Sequence, residues 1–363
     1  NIFTKSVREL LSKKYSNFSH PNTSAIKLSK NLKAFFPKFD KFVLCTTGAE
    51  ANLKALRIAR AATGKKIIIN VSGSWHGSVD QLLFQSNKSN KLESLSAGLS
   101  DDIKKDIKHV PYNDIQNTKK ILNKLKKKIC CILIEPIQGG FPTNEGYDYL
   151  RFLNDYCKKN NLIFFIDEVL TGIRTNCSSV QQTYNLKSDL STFGKIIGGG
   201  FPIGIIGISK KLTKKINKFK DKKIFFGGTF SGNSFSTHVG NQTLNFIKKN
   251  KKKIFSKLEA DSHFIEKNLN KFILLNNIDA KLIRFNSILR IIFSKKNIKN
   301  RPQRDFFEKN KMKSKILFVK FLFENGVYFP NNGVITLSYS LTKNELKKTV
   351  SLIKIGLQKF FSF

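Results

Sequence analysis

The sequence predicts an α/β protein with a mainly parallel sheet covered by helices. Short apolar runs bounded by turn residues alternate over the first 246 residues with stretches whose apolar residues recur at helical spacing. These runs are apolar on both faces, which is typical of central strands buried under helices. From about residue 247 the pattern changes to lysine-rich helix and then a few strand-like runs. We therefore expect a large domain over 31–246, a smaller C-terminal α+β domain over 247–363 and an N-terminal arm over 1–30.

Individual elements follow from the same patterns. The predicted strands of the large domain include 42–45, 67–69, 129–134 and 162–166. The predicted helices between them include 52–62 and 147–159. In the smaller domain, residues 287–293 are expected to form a strand.

Composition excludes several classes of protein. Hydrophobic residues make up 40% of the 363 residues and aromatic residues 12%, which excludes intrinsic disorder. No run of 18 or more apolar residues occurs, so we expect no membrane span and no membrane partner. The five cysteines are odd in number and form no Cys-x-x-Cys pair, so they predict free thiols, no metal site and a reducing, cytoplasmic location.

The net charge of +40 raises the question of nucleic-acid binding. Only nine of the 65 basic residues are arginine, the side chain favoured for bidentate phosphate and base contacts; the other 56 are lysine. The lysines occur in short runs spread along the whole chain. This distribution favours a solvated surface over a dedicated patch, and we expect no nucleic-acid partner.

Two segments at predicted strand ends could hold a phosphate-bearing aromatic ligand. Thr47 and Glu50 fit the start of a helix, where the free N–H groups of Gly48 and Ala49 could bind phosphate; a plain helix start is the alternative. The only tryptophan, Trp75, could stack on a planar cofactor or pack in the core. The neighbouring His76 is either a hydrogen-bonding support or a catalyst.

Two further strand ends supply charged groups. Asp167 ends a buried apolar run, where a carboxylate needs a cationic or hydrogen-bonding partner unless it merely caps a helix. Lys195 lies in a glycine-rich apolar turn, and partial burial would lower the pKa of its amine and favour Schiff-base chemistry. A phosphate cradle, an aromatic face, a carboxylate and a sequestered lysine together fit pyridoxal 5′-phosphate. Lys195 would form the Schiff base, and Asp167 would keep the pyridine nitrogen protonated.

Six ordered motifs resemble those of the class III pyridoxal-phosphate aminotransferases, with the branch of glutamate-1-semialdehyde aminomutase most similar. They are Thr47-Gly48-Ala49-Glu50-Ala51, Trp75-His76-Gly77, Ile134-Glu135-Pro136, Asp167-Glu168-Val169, Gly194-Lys195 and Thr229-Phe230-Ser231-Gly232-Asn233. The similarity runs from about residue 32 to residue 240 and is weaker beyond. Compared with the family, we expect the N-terminal segment that helps cover the active site to be largely absent.

The resemblance implies a fold type I homodimer with active sites shared across the interface. It assigns Lys195 as the Schiff-base lysine and catalytic base, and Asp167 as the partner of the pyridine nitrogen. The remaining cofactor contacts that it implies are Gly48 and Ala49 at the phosphate, Trp75 as the stacking ring, His76 beside it, Glu135 near the ring and Thr229 at the phosphate of the partner subunit's cofactor.

Departures from the aminomutase pattern decide the expected reaction. Gly140 stands where the aminomutase has an asparagine that contacts the cofactor, Asn331-Asn332-Gly333 replaces Glu-Ala-Gly, and the mobile loop is reduced to residues 94–99. We therefore expect an aminotransferase that moves an amino group between a small-molecule amino donor and a carbonyl acceptor. The alternatives are the intramolecular aminomutase and, more remotely, an inactive basic scaffold or binding protein.

Overall fold

A computed structural model describes residues 2–12, 20–86, 92–219, 223–330 and 333–362. Asn331 and Asn332 lie outside the described residues. The chain divides into two units, one formed by residues 1–136 and 146–251 and the other by residues 137–145 and 252–363. The first unit ends at Lys251, and the sequence predicts a domain boundary near residue 247.

A seven-stranded sheet forms the centre of the first unit. Its strands are β1 (Phe39–Cys45), β2 (Ile67–Val71), β5 (Ile107–Val110), β6 (Ile129–Ile134), β7 (Ile163–Asp167), β8 (Leu190–Gly194) and β9 (Gly204–Ser209), in the order β1-β9-β8-β7-β6-β2-β5. Strand β9 runs antiparallel to both of its neighbours, and the other pairs are parallel. The predicted mainly parallel α/β sheet is confirmed.

Helices cover this sheet. They are α1 (Ile2–Leu11), α2 (Thr23–Phe35), α3 (Gly48–Thr63), α4 (Ile115–Leu125), α5 (Tyr147–Lys159), α6 (Val180–Thr183), α7 (Lys210–Ile216) and α8 (Ser234–Lys249). Every residue of β6 is buried, because one hydrophobic cluster with α3 and another with α5 enclose its two faces. A short antiparallel pair, β3 (Phe84–Ser86) and β4 (Leu92–Ser94), completes the unit.

The second unit combines helices with a small antiparallel sheet. Its strands are β10 (Lys281–Phe285), β11 (Ile288–Ile292) and β12 (Val334–Thr336), and its helices are α9 (Lys251–Leu275), α10 (Arg301–Glu308), α11 (Met312–Glu324) and α12 (Lys343–Phe361). A separate hydrophobic cluster links the sheet to α9, α11 and α12. Among the described residues, no helix has the length and apolar character needed to cross a membrane. All five cysteines are free thiols.

The parallel strands bring the segments singled out from the sequence to one edge of the sheet. Asp167 is the last residue of β7, Glu135 follows β6 and Lys195 follows β8. Trp75 and His76 lie in the loop after β2. The carboxyl ends of parallel strands are the usual place for ligands in such sheets.

Candidate active site

A cavity of about 330 Å³ lies at this edge of the sheet, within the size range of small-molecule sites. Its lining includes seven of the eight residues predicted from the sequence: Gly48, Ala49, Trp75, His76, Glu135, Asp167 and Lys195. The eighth, Thr229, lies on an exposed loop and does not line the cavity. The structure thus brings together residues from five separate segments of the sequence.

The start of helix α3 forms one wall of the cavity. Thr47 is its N-cap, and its hydroxyl oxygen accepts the N–H of Glu50 at 3.1 Å, as the sequence predicts. The Glu50 carboxylate does not reach back to Thr47; it accepts the N–H of Thr46 at 2.6 Å instead. The N–H groups of Gly48 and Ala49 have no partner within the helix, and they lie at the positive end of its dipole. These two N–H groups therefore form a suitable site for a phosphate.

Close packing around Ala49 depends on a glycine after Trp75 and His76. Gly77 has a φ of +78°, and a Cβ at this position would lie 2.8 Å from the Cβ of Ala49. Any larger residue would be strained in its backbone and would displace the first turn of α3. Gly77 therefore holds the loop after β2 directly against the helix start.

Asp167 is buried at the base of the cavity and accepts four hydrogen bonds. The donors are Asn52 Nδ2 at 2.8 Å, His76 Nδ1 at 2.7 Å, the Val169 N–H at 3.0 Å and Thr192 Oγ1 at 3.0 Å. Burial alone would raise the pKa of Asp167, but the bonds from His76, Val169 and Asn52 outweigh it and lower the pKa below the ordinary value. Asp167 is consequently an anion at neutral pH.

His76 supports Asp167 from within the protein. Its Nδ1 faces Asp167, its Nε2 lies 3.2 Å from Asn70 Oδ1, and its backbone oxygen accepts Asn52 Nδ2 at 2.9 Å. Both ring nitrogens of His76 face buried protein atoms. The geometry therefore favours a hydrogen-bonding support over a catalyst.

Lys195 begins a short 3₁₀ helix directly after β8 and has a φ of +47°. Such a backbone conformation is unfavourable for a lysine and occurs most often where function requires it. The side chain is exposed to the cavity, yet burial of its amine lowers the pKa of Lys195; nearby Glu135 and Asp167 oppose this effect, and Arg174 adds to it. A larger fraction of the amine is neutral than for a lysine in water.

Glu135 and Trp75 form a connected pair on another side of the cavity. The buried Glu135 carboxylate accepts the Trp75 N–H at 3.1 Å, and the Glu135 N–H donates to Ser74 Oγ at 3.2 Å. The Trp75 side chain is 49% exposed, so it is not a core residue. Its exposed indole ring fits the predicted stacking face for a planar ligand.

Comparison with known proteins identifies the family. The family model described as "Aminotransferase class-III" matches residues 6–354. The chain belongs to the class III aminotransferases. This membership confirms the pyridoxal-phosphate-dependent enzyme class predicted from the motifs.

The curated relatives of this class III chain include aminomutases. Glutamate-1-semialdehyde 2,1-aminomutase of Methanococcus maripaludis (strain C6) is 31% identical over 348 residues, which cover 93% of this chain and 79% of the relative. The enzyme of the same name from Methanosphaera stadtmanae is 30% identical over 368 residues, covering 99% of this chain and 84% of the relative.

Solved structures share the fold at lower identity. An omega-transaminase from Sphaerobacter thermophilus superimposes with a TM-score of 0.87 at 20% identity and covers 98% of this chain and 82% of its own. A glutamate-1-semialdehyde aminomutase from Pseudomonas aeruginosa has a TM-score of 0.86 at 16% identity, with coverages of 99% and 80%. These likenesses confirm the predicted fold class.

Several residues of the site had no signal in the sequence. Asn52 and Thr192 bind Asp167, and Asn70 faces His76, but each lies on a different element from its partner. Arg174 follows the Asp167-Glu168-Val169 motif by five residues, and nothing in its spacing suggests a role. These partners become apparent only from the three-dimensional arrangement.

Proposed function

We propose that this protein is an aminotransferase that moves an amino group between a small amino donor and a carbonyl acceptor, with pyridoxal 5′-phosphate as cofactor and Lys195 as catalytic base. One observation carries the proposal: a single cavity contains the Lys195 amine, the ionised Asp167 and the free N–H groups at the start of α3. Any two of these groups without the third would not identify the cofactor. Together they match a lysine-reactive aldehyde, a basic ring nitrogen and a phosphate.

The residues present fit this cofactor. Gly48 and Ala49 would hold the phosphate, Trp75 would cover one face of the ring, and Asp167 would lie opposite the ring nitrogen. The bound cofactor would supply an electron sink for the negative charge that develops on the substrate carbon. A buried carboxylate kept anionic by four hydrogen bonds favours a protonated ring nitrogen, which strengthens that sink.

Lys195 would move the proton. Its amine is held in a cavity where desolvation lowers its pKa, which favours the neutral form that acts as a base. The Nζ atom would be the base that takes the proton from the substrate carbon and the acid that gives it back. The left-handed backbone at Lys195 restricts the direction in which its side chain points.

We further propose a cytoplasmic homodimer in which Thr229 of one subunit contacts the cofactor phosphate bound by the other. The loop that carries Thr229 supports this arrangement, because Phe225 and Phe230 on it are 72% and 53% exposed. Exposed aromatic side chains on one loop are typical of a contact surface. The buried Lys54 amine fixes the loop by donating to the backbone oxygen of Phe226 at 2.7 Å.

The second candidate is glutamate-1-semialdehyde aminomutase, and the names of the relatives at 30–31% identity favour it. Gly140 supports the aminotransferase instead. A Cβ at Gly140 would lie 2.6 Å from Cδ of Arg301, and the Gly140 carbonyl accepts a hydrogen bond from Arg304. The space that the family's asparagine would need is filled by arginine in this chain.

The test is the near-visible spectrum of the purified protein with pyridoxal phosphate, repeated with a panel of amino donors. We expect an absorption band that one donor bleaches and that a separate keto acid restores. Asp167→Asn should keep the band and slow the bleaching at least about 100-fold. Absence of any band would support the inactive scaffold, whereas turnover of glutamate semialdehyde without exchange with a separate keto acid would support the aminomutase.

A further inference from the structure

Glu50 places a negative charge beside the proposed phosphate site. It lies in the first turn of α3, and its Oε2 atom accepts the N–H of Thr46, a residue that lines the cavity. Burial raises the pKa of Glu50, but hydrogen bonds from Lys54 and the Thr46 N–H outweigh this effect and lower the pKa. The carboxylate is therefore ionised at neutral pH, where it would repel a phosphate bound at Gly48 and Ala49.

The same carboxylate fixes the shape of this turn. Thr46 follows β1 and Thr47 is the N-cap of α3, so the bond to the Thr46 N–H fixes the path of the chain from strand to helix. The other carboxylate oxygen, Oε1, accepts the hydroxyl of Ser231 at 3.3 Å. Glu50 thus gives the site a fixed geometry together with an unfavourable charge.

Lys54 supplies the opposite charge from one turn further along α3. Its Nζ atom donates to Glu50 Oε1, and the lysine side chain is only 5% exposed. Solvent and salt screen a buried or partly buried ion pair much less than a surface pair. The two groups together therefore present little net charge to the cavity.

The loop of residues 224–233 holds the Lys54 ammonium in place. Phe226 contributes its backbone oxygen, 2.7 Å from Nζ, and Ser231 contributes its hydroxyl oxygen, 3.5 Å from Nζ. Together with the Glu50 carboxylate, these are three acceptors for the three N–H donors of an ammonium group. The hydrogen bonds thus fix the direction in which the Lys54 amine points.

Gly228 allows this loop to lie directly on the ion pair. A Cβ at this position would lie 2.7 Å from Ser231 Oγ, 3.0 Å from Glu50 Oε1 and 3.6 Å from Lys54 Nζ. The Ser231 N–H donates to the Gly228 carbonyl at 2.9 Å and closes the turn. The lysine is therefore held by the packing of the loop as well as by its attraction to Glu50.

We propose that Lys54 is a positioning residue for the cofactor phosphate, because it neutralises Glu50 and leaves the positive end of α3 free to attract the phosphate. Without the ammonium, the Glu50 carboxylate would offset the favourable field of the Gly48 and Ala49 N–H groups. Lys54 acts through Glu50, since it is not among the residues that line the cavity. This inference rests on the proposed pyridoxal-phosphate function and adds a residue outside the cavity that determines the affinity for the phosphate.

The experiment compares the dissociation constants of pyridoxal phosphate and of pyridoxal, which has the same ring and aldehyde but no phosphate. Both are titrated into cofactor-free protein and followed by near-visible absorption. We expect Lys54→Met to raise the constant for pyridoxal phosphate about tenfold or more and to leave that for pyridoxal within about twofold. Lys54→Gln should behave alike, although it keeps a donor for the Phe226 carbonyl, because it too lacks the charge.

Arg57→Gln is the matched control. Arg57 lies on the same helix and donates to the backbone oxygen of Phe225 at 2.6 Å, so the variant removes a cation and a loop contact but leaves the bond between Glu50 and Lys54 intact. It should bind both ligands like wild type. If Arg57→Gln weakens pyridoxal phosphate as much as Lys54→Met does, the effect is not specific to the Glu50 charge and the inference is wrong.

A double variant, Glu50→Gln with Lys54→Met, tests the charge directly. It replaces the ion pair with neutral side chains of similar size, so it should bind pyridoxal phosphate more tightly than Lys54→Met. Urea unfolding identifies the folded variants, and Lys54→Gln with its own Glu50→Gln double variant serves if Lys54→Met does not fold.

Three results would overturn the inference while the proposed function stands. They are a double variant that binds no more tightly than the single one, equal losses for pyridoxal and pyridoxal phosphate, and wild-type affinity in the Lys54 variants. Wild-type protein that forms no absorption band with either ligand would overturn the proposed function and the inference together.

Discussion

Asp167 illustrates how a buried carboxylate is kept ionised. Desolvation favours its neutral form, and hydrogen bonds from His76, Val169 and Asn52 reverse the balance. The support extends outward from His76 to Asn70 on β2. On the neighbouring strand β5, His109 is paired in register with Asn70, and both of its ring nitrogens are buried without a partner in the described structure.

His109 should make stability depend on pH. Burial, and to a lesser degree the charge of nearby His76, lowers the pKa of His109 from 6.5 to about 4. Between these values the unfolded chain binds the proton and the folded chain does not, so stability falls as the pH falls from 6.5 towards 4. We expect a loss of up to about 3 kcal/mol in the free energy of unfolding across this window.

Urea unfolding of His109→Gln between pH 4 and pH 7 tests this expectation. The variant should show a shallower decline than wild type. His263→Gln, at an exposed histidine, should follow the wild-type profile. Identical profiles for wild type and His109→Gln would show that His109 does not titrate with folding.

The residues of the site differ in how far the sequence predicts them. Lys195 and Asp167 are predictable because Asp167 ends an apolar strand and Lys195 lies in a glycine-rich apolar turn. Asn52 and Thr192 are not, since both are small polar residues on elements distant from Asp167 in the sequence. Their function depends on the packing of α3 and β8 around β7, for which no local pattern exists.

At the scale of elements, the loop between β7 and α6 depends on Glu168. Its carboxylate satisfies the first two N–H groups of α6 and the hydroxyl of Thr171, although burial raises its pKa. The loop between these anchor points contains the strained Ile173 and Arg174, whose buried Nε atom has no acceptor in the part of the chain that the structure describes. Glu168 therefore holds a segment that would otherwise relax.

Glu168→Ala should destabilise the protein by about 3 kcal/mol, because it leaves buried donors without an acceptor. Glu168→Gln keeps the shape and one acceptor oxygen, so its loss should be smaller. The measurement is the free energy of unfolding in urea, with the exposed Glu145→Ala as control, for which we expect a change within about 0.5 kcal/mol. Equal losses for alanine and glutamine would contradict the anchoring role.

The sequence predicts the bounds of fully buried strands well, but it does not predict whether a strand runs parallel or antiparallel to its neighbours. The sequence predicts β6 and α5 with the bounds that the structure has, because strong apolar patterns end there at charged or turn residues. Strand β1 begins three residues earlier than predicted, at Phe39, whose ring packs on Phe193. The antiparallel course of β9 carries no sequence signal, because its apolar run resembles those of the parallel strands.

At the scale of the whole molecule, the proposed dimer links two active sites through Thr229. Thr229→Ala should raise the apparent dissociation constant for pyridoxal phosphate about tenfold, since a hydrogen bond to a charged group is lost. Thr229→Ser retains the hydroxyl and should behave like wild type. Cofactor titrations followed by absorbance at several protein concentrations measure the dissociation constant, and sedimentation measures the oligomeric state. A monomer with undiminished cofactor affinity would contradict the shared site.

The high positive charge is spread over the surface of the molecule and is not concentrated at the candidate active site. Lysines such as Lys126 to Lys128 and Lys251 to Lys253 lie on the exposed ends of helices. Lys195 differs from them in following a buried strand and in having an amine whose pKa is lowered by burial. Lys195 is thus chemically distinct from these exposed lysines.

The most direct test of the central claim is to reduce the cofactor-loaded protein with borohydride, digest it and locate the labelled lysine by mass spectrometry. We predict a single cofactor label, on Lys195, and none in Lys195→Ala. A label on a different lysine, scattered labelling of the exposed lysines, or no label in the wild-type protein would contradict the assignment of Lys195 and with it the proposed function.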